Sequence, residues 1–173
     1  MGLQSPERLK EKSNMFDKFG EFDSWEEINK AAEGQKAEGD EAALKELAKE
    51  NGIDLEDAED YFDGAIPELC TPLGAALGKL EIEKKDLKPK DIMEDWLNYI
   101  QQLCATDPEI CRNVRKKGGS LKGCIGALLK WSFDHQHTVP DDIKKAAGVS
   151  AGKVTLGIPG IRTAHQIIKE YYS

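Results

Sequence analysis

The sequence lacks any apolar run close to the roughly 20 residues that a membrane-spanning helix requires. Its first residues, MGLQSPERLKEKSNMF, also lack the apolar stretch of a secretory signal. We therefore expect a protein of the cytoplasm that has no membrane partner. With 173 residues, the chain is long enough for one domain or two small ones around a real hydrophobic core.

Patterns for metal binding and covalent catalysis are missing as well. The cysteines form no C-x-x-C pair, and the histidines complete no zinc-ligand spacing with them. These residues are Cys70, Cys104, Cys111 and Cys124, with His135, His137 and His165. We expect the cysteines to be buried, reduced thiols. No metal or other cofactor and no enzymatic activity are predicted.

Positive charge is scarce in the first half of the chain. Residues 1–87 carry 11 Lys and Arg against 23 Asp and Glu, a net charge of −12. Residues 88–173 carry 13 against 9, a net charge of +4. Because duplex DNA is bound by Lys and Arg that neutralise its phosphates, independent binding of duplex DNA is not expected. The asymmetry favours a basic surface on another protein as the partner.

The spacing of apolar residues predicts an all-α, compact multi-helix protein. Residues 1–22 are expected to form a polar tail and an aromatic lead-in. Residues 23–64 are expected to form a small acidic three-helix unit, and residues 65–173 a larger helical core with a short extended connection at 153–160. Helix starts are predicted at Asp23 or Ser24, Asp40, Asp54, Thr71, Asp91, Asp107 and Ser120. Helical spacing also predicts one shared core for Trp96, Leu97, Ile100, Leu128, Leu129 and Phe133.

The aromatic lead-in contains three phenylalanines at intervals of three, Phe16, Phe19 and Phe22. The favoured interpretation is that they pack onto the first helix. The alternative is an exposed aromatic peptide that docks onto another protein.

The segment GVSAGKVTLGIPG at 148–160 resembles two motifs at once. A phosphate-binding loop is rejected, since Gly148 and Gly152 enclose three residues instead of four and Lys153 precedes Val154 instead of Ser or Thr. A degenerate helix-turn-helix at 139–156 is the second possibility, with Ser150 capping a second helix through Val154. The favoured interpretation is a helix, a turn and a short helix that pack against their neighbours.

The densest acidic run occupies 54–63 and consists of Asp54, Glu56, Asp57, Glu59, Asp60 and Asp63. An EF-hand is rejected, because its fifth, sixth and twelfth positions would be Ala58, Glu59 and Ala65. A catalytic carboxylate pair lacks an accompanying histidine or metal pattern. Two interpretations remain, a solvated helix face and a face that binds a protein partner.

The basic counterpart is RNVRKKGGSLKG at 112–123, which lies ahead of a predicted helix start. Its charges are Arg112, Arg115, Lys116, Lys117 and Lys122. One interpretation is contact with phosphate or RNA at a helix N-terminus. The other is that these cations offset the negative end of the preceding helix.

Four segments carry a resemblance to a known group: GEFDSWEEIN, GDEAALKELAKENGIDLEDAEDYFDG, LGKLEIEKKDLKPKDIMEDWLNYI, and LKGCIGALLKWSF with LGIPG further on. They are similar to small proteins from mobile elements of gut Firmicutes, a group that includes a type II-A anti-CRISPR protein. The resemblance covers residues 15–173 and assigns no functional residue by position. It implies a non-enzymatic inhibitor that binds Cas9, with its guide RNA, and blocks DNA binding or cleavage.

Cas9 holds its heteroduplex in a positively charged channel, which an acidic helix face would fit. The alternative is a DNA-binding regulator of a mobile element that uses 139–156 as its helix-turn-helix. A further alternative is an adaptor with no connection to nucleic acid.

Overall fold

The computed structural model describes residues 18–173. These residues form nine helices and one two-stranded sheet, so the predicted all-α class is confirmed. Within this range, no helix combines the length and the hydropathy that a membrane crossing needs. The helices are α1 Trp25–Ala37, α2 Glu41–Glu50, α3 Leu55–Asp63, α4 Pro72–Leu87, α5 Ile92–Thr106, α6 Pro108–Arg115, α7 Leu121–Asp134, α8 Asp141–Ala146 and α9 Ile161–Tyr171. The strands are β1 His137–Thr138 and β2 Thr155–Leu156.

Most helices begin at the capping residue that the sequence predicts. The Ser24 hydroxyl accepts from the Glu27 backbone N–H, and the Glu27 carboxylate accepts from the backbone N–H of Asp23. The first bond satisfies an N–H group that the first turn of α1 leaves unpaired, and the second bond joins the residue before the cap to that turn. Side chains also cap α2, α4, α6 and α7, at Asp40, Thr71, Asp107 and Ser120. At α3 and α5, Asp54 and Asp91 precede the helix without a side-chain capping bond.

Buried apolar side chains form two clusters that meet at α4. The first gathers residues of α1–α3 and extends to Leu69, Cys70 and Ala75. The second joins α4–α7 with α9. Since Ala75 belongs to the first cluster and Ala76 to the second, α4 packs against both.

The four cysteines are buried and free, as predicted. Phe19 and Phe22 are half-buried and pack against the first cluster, as the favoured interpretation of the lead-in expects. Phe16 lies outside the described residues.

The predicted core is wrong at two positions of α7. Trp96, Leu97, Ile100 and Leu128 share the second cluster. Leu129 and Phe133 are instead 55% and 74% exposed. They follow Leu128 by one and five residues, and each residue turns a helix by about 100°, so both side chains point away from the buried stripe.

The second helix of the predicted helix-turn-helix does not form. Gly148, with φ +66°, ends α8 as expected, but residues 149–154 are irregular. The chain then pairs with β1 in antiparallel register, Thr155 opposite Thr138 and Leu156 opposite His137. The favoured interpretation of this segment is also wrong, because α8 buries none of its residues. Local capping and glycine signals could not reveal a strand partner upstream of α8.

Candidate functional site

The acidic run predicted at 54–63 forms α3 and its N-cap, and all six carboxylates are exposed. Ala58 and Tyr61, three residues apart, fix which side of the helix is buried. Four of the carboxylates follow the opposite side at intervals of three and four residues. This acidic stripe consists of Glu56, Glu59, Asp60 and Asp63.

Most of the acidic stripe has no cationic partner in the described part of the chain. Glu59 is the exception, because its carboxylate lies 2.7 Å from the Lys45 ammonium. Lys45 also contacts Glu41 at 2.8 Å, and bonds to these two carboxylates raise the pKa of Lys45. The stripe therefore presents mostly uncompensated negative charge to solvent.

Most of these charges are placed unfavourably for α3, although Glu56 lies in the first turn, where the helix dipole favours a carboxylate. Glu56 and Asp60 are like charges four residues apart, and so are Glu59 and Asp63. Two of the four also occupy the last turn, at the negative end of the helix dipole, where α3 has no basic residue of its own. A cation from α1 partly offsets this charge, since Lys36 donates to the Tyr61 carbonyl oxygen at 2.6 Å. In natural proteins, locally unfavourable patterns of this kind are concentrated at functional or strained sites.

The predicted basic segment divides into surface and interior residues. Its exposed cations are Arg112, Lys116, Lys117 and Lys122. Arg115 requires a correction, because its side chain is 2% exposed and cannot contact a phosphate at the surface. Its guanidinium donates to the Asn51 side-chain oxygen at 2.9 Å and thereby connects α6 with the end of α2. Burial lowers the pKa of Arg115.

A buried cation that the sequence did not indicate lies near Arg115. The Lys79 ammonium donates to the carbonyl oxygens of Val114 at 3.0 Å, Lys116 at 2.6 Å and Gly119. It thus binds carbonyl groups that the end of α6 leaves without helical partners. Its role is to hold the end of α6 against α4.

The buried carboxylate of Glu83 lies one turn further along α4, 4.0 Å from the Lys79 ammonium. Burial raises the pKa of Glu83 to about 7, although the Lys79 charge opposes the shift. Burial likewise lowers the pKa of Lys79. In the sequence, Lys79 and Glu83 resemble an exposed i,i+4 ion pair. The spacing of Ala76, Leu80 and Glu83 indicates burial instead, because it places Glu83 on the apolar stripe of α4.

A groove with a volume of about 1150 Å³ lies between the start of α3, the loop before α4, and helices α4 and α5. Its apolar floor includes Ile53 and Leu69, which are buried, and Ile66 and Leu77, which are half-buried. Two acidic residues of the predicted run, Asp54 and Asp57, line it together with Glu68 of the loop and Glu81 of α4. The fourth wall consists of Asn98, Gln101, Gln102 and Ala105 of α5.

Two of the three histidines stack on aromatic side chains. His135 stacks on Trp131 with ring centroids 4.1 Å apart, and His165 stacks on Tyr99 at 3.4 Å. His137 lies in β1. Across residues 18–173, no three His, Cys, Asp or Glu side chains are grouped as metal ligands.

Comparison with protein-family models, with curated proteins and with solved structures yields no match to this chain.

Proposed function

We propose that this protein inhibits Cas9 by binding it, together with its guide RNA, and that it blocks DNA binding or cleavage without catalysing a reaction. The identity of the partner rests on the resemblance described above. The observation that carries the binding role is the acidic stripe of α3, with its exposed and mostly unpaired carboxylates. A cytoplasmic location accompanies this proposal, because Cas9 acts there on invading DNA.

The acidic stripe belongs to a strongly negative part of the chain. Residues 23–64 contain 15 Asp and Glu against 4 Lys and Arg. Cas9 uses a positively charged channel for its heteroduplex and arginines for recognition of the PAM. An acidic surface that binds there excludes nucleic acid, and its field accelerates association with a basic partner.

The exposed cations of the 112–123 segment are assigned to the guide RNA in this proposal. Arg112, Lys116, Lys117 and Lys122 remain available to phosphates, whereas Arg115 does not. Phosphate contacts of this kind add affinity that falls steeply as salt rises.

A DNA-binding regulator would need a recognition helix that enters the major groove. Residues 149–154, where that helix was expected, are irregular. No observation of the described residues therefore favours this second function.

The deciding experiment measures binding to purified Cas9, with and without guide RNA, beside inhibition of DNA cleavage. A triple variant, Glu56→Gln with Asp60→Asn and Asp63→Asn, neutralises the stripe and leaves the Glu59–Lys45 pair in place. Its control, Asp86→Asn with Glu94→Gln and Asp142→Asn, removes three exposed carboxylates elsewhere. We expect slower association for the first triple at low salt and little change for the second. A wild-type protein that neither binds Cas9 nor slows cleavage refutes the function.

A further inference from the structure

The groove between α3, α4 and α5 carries charge of one sign. Its lining includes four carboxylates, those of Asp54, Asp57, Glu68 and Glu81, and no lysine or arginine from residues 18–173. All four are exposed. Glu68 accepts from the Asn29 side chain at 3.0 Å, whereas the other three make no hydrogen bond or ion pair through their side chains within the described chain. The groove therefore offers carboxylates that a cationic ligand does not have to displace from existing partners.

The interior of the groove differs from its rim. Its floor is apolar, and α5 contributes amide groups from Asn98, Gln101 and Gln102, which lie on one face of that helix because they are three and four residues apart. Amide groups both donate and accept, so they can bond to the backbone of an extended polypeptide. The volume also exceeds the roughly 300–1,000 Å³ of pockets for drug-sized molecules. An apolar floor, an amide wall and an anionic rim together match a polypeptide with both apolar and cationic side chains.

We propose that this groove binds a segment of the partner protein that carries lysine or arginine beside apolar residues. The proposal rests on the proposed function and deepens it, since it separates two roles for the acidic residues. The acidic stripe lies on the solvent side of α3 and accelerates encounter. The groove carboxylates of α3 and α4 pair with the cations of the docked segment, and its apolar side chains cover Ile66 and Leu77.

The two roles predict different kinetics. Removal of a rim charge changes mainly the association rate, whereas removal of one member of a desolvated charge pair accelerates dissociation. The groove variant is Asp57→Asn with Glu81→Gln, and its matched control on the stripe is Glu56→Gln with Asp63→Asn. We expect dissociation from the Cas9–guide RNA complex to accelerate about tenfold or more for the groove variant and to stay unchanged for the control. Equal dissociation rates for the two variants overturn the groove assignment.

A second pair of variants changes the groove at one position. Ala105 is exposed and lines the α5 wall, so that a long side chain there enters the groove without disturbing a core. Ala105→Arg adds a cation, and Ala105→Glu adds an anion on a shorter side chain of similar helix propensity. We expect Ala105→Arg to weaken binding about tenfold and Ala105→Glu to bind within about twofold of wild type. Equal affinities for the two variants contradict a cationic occupant.

A peptide titration separates failure of the groove from failure of the Cas9 function. A short peptide of alternating arginine and leucine is titrated into isotope-labelled protein, with a glutamate–leucine peptide as the control. The groove assignment predicts chemical-shift changes at the groove with the arginine–leucine peptide only. These changes should disappear in the Asp57→Asn, Glu81→Gln variant. Such a result supports the groove as a binding site even if the wild-type protein does not bind Cas9. No response at the groove, or an equal response to both peptides, refutes it. If the wild-type protein binds Cas9 and the groove variants bind it equally well, the proposed function stands and the groove assignment alone is refuted.

Discussion

Gly78 of α4 lies against the backbone of Gly52, which follows α2, with no space for a Cβ atom on either residue. A Cβ on Gly78 would be 2.3 Å from the Asn51 carbonyl oxygen, and one on Gly52 would be 2.2 Å from that of Gly78. Gly52 also has φ +66°, a conformation that favours glycine. Both glycines line the groove, so their contact sets the distance between two of its walls.

We expect Gly78→Ala to lower the free energy of unfolding by about 1–3 kcal/mol, because the new methyl group must push backbone aside. The control is Gly34→Ala in α1, where a Cβ meets nothing within 4 Å. Alanine there should raise the free energy of unfolding by about 0.5–1 kcal/mol through helix propensity. Urea unfolding measures both, and a Gly78→Ala protein as stable as wild type would contradict the contact.

The buried lysine gives the next prediction. Lys79→Met keeps a long side chain but removes the donor that binds three carbonyl oxygens, and it leaves Glu83 buried beside no cation from α4. We expect a loss of about 3–5 kcal/mol in the free energy of unfolding. Lys85→Met, on the exposed side of the same helix, should change it by less than about 0.5 kcal/mol.

Addition of Glu83→Gln to Lys79→Met tests whether the two charges are coupled. Because the double variant has no isolated buried carboxylate, its total loss should be smaller than the sum of the two single losses. If the loss in the double variant equals the sum of the two single losses, the Lys79 and Glu83 charges are not coupled across their 4.0 Å separation.

Stability should also depend on pH through Glu83. The pKa of this carboxyl rises from 4.5 to about 7 on burial, so the folded protein retains a proton that the unfolded chain releases between these values. The contribution of Glu83 is therefore complete below about pH 4.5 and is lost as the pH rises through 7. Since one pKa unit corresponds to about 1.4 kcal/mol, the loss between these two pH values is on the order of 3–4 kcal/mol.

Glu83→Gln lacks this titration. Its free energy of unfolding, measured relative to wild type in urea, should increase between pH 5 and pH 8. A difference that stays constant over this interval would mean that Glu83 is not protonated in the folded protein near neutral pH.

The helix starts could be predicted from the sequence because capping is local. Ser24, Thr71 and Asp107 each bond to an N–H two or three residues further on, and such spacing is visible in the chain itself. The exposure of Leu129 and Phe133 could not be predicted in the same way. Apolar periodicity shows that a helix has an apolar side, but the width covered by neighbouring helices depends on how those helices pack.

The same distinction between local patterns and packing between helices applies to the candidate site. The acidic run of α3 is contiguous in sequence, so its residues and their exposure on one helix followed from spacing. The groove combines α3, α4 and α5 with a loop, and no local pattern brings Asp57 near Glu81. The interior position of Arg115 likewise depends on Asn51, which lies 64 residues earlier in the chain.

The last prediction separates binding from stability on the acidic stripe. Asp60→Asn with Asp63→Asn removes charge from the unfavourable end of the α3 dipole and relieves repulsion with Glu56 and Glu59. We expect the free energy of unfolding to rise by about 0.5–2 kcal/mol at low salt, and to rise less at high salt because screening weakens both effects. Association with Cas9 should become slower in the same variant.

Removal of a carboxylate from the positive end of a helix dipole should have the opposite effect on the free energy of unfolding. Glu26 lies in the first turn of α1, where a carboxylate interacts favourably with the helix dipole, so Glu26→Gln should lower the free energy of unfolding slightly.

Urea unfolding at two salt concentrations measures stability, and stopped-flow mixing with Cas9 measures association. A more stable Asp60→Asn, Asp63→Asn protein that associates more slowly would establish that these carboxylates lower stability in favour of binding. If that variant is more stable and associates at the wild-type rate, the stripe has no part in the encounter, because the loss of two negative charges must slow any association that their field accelerates.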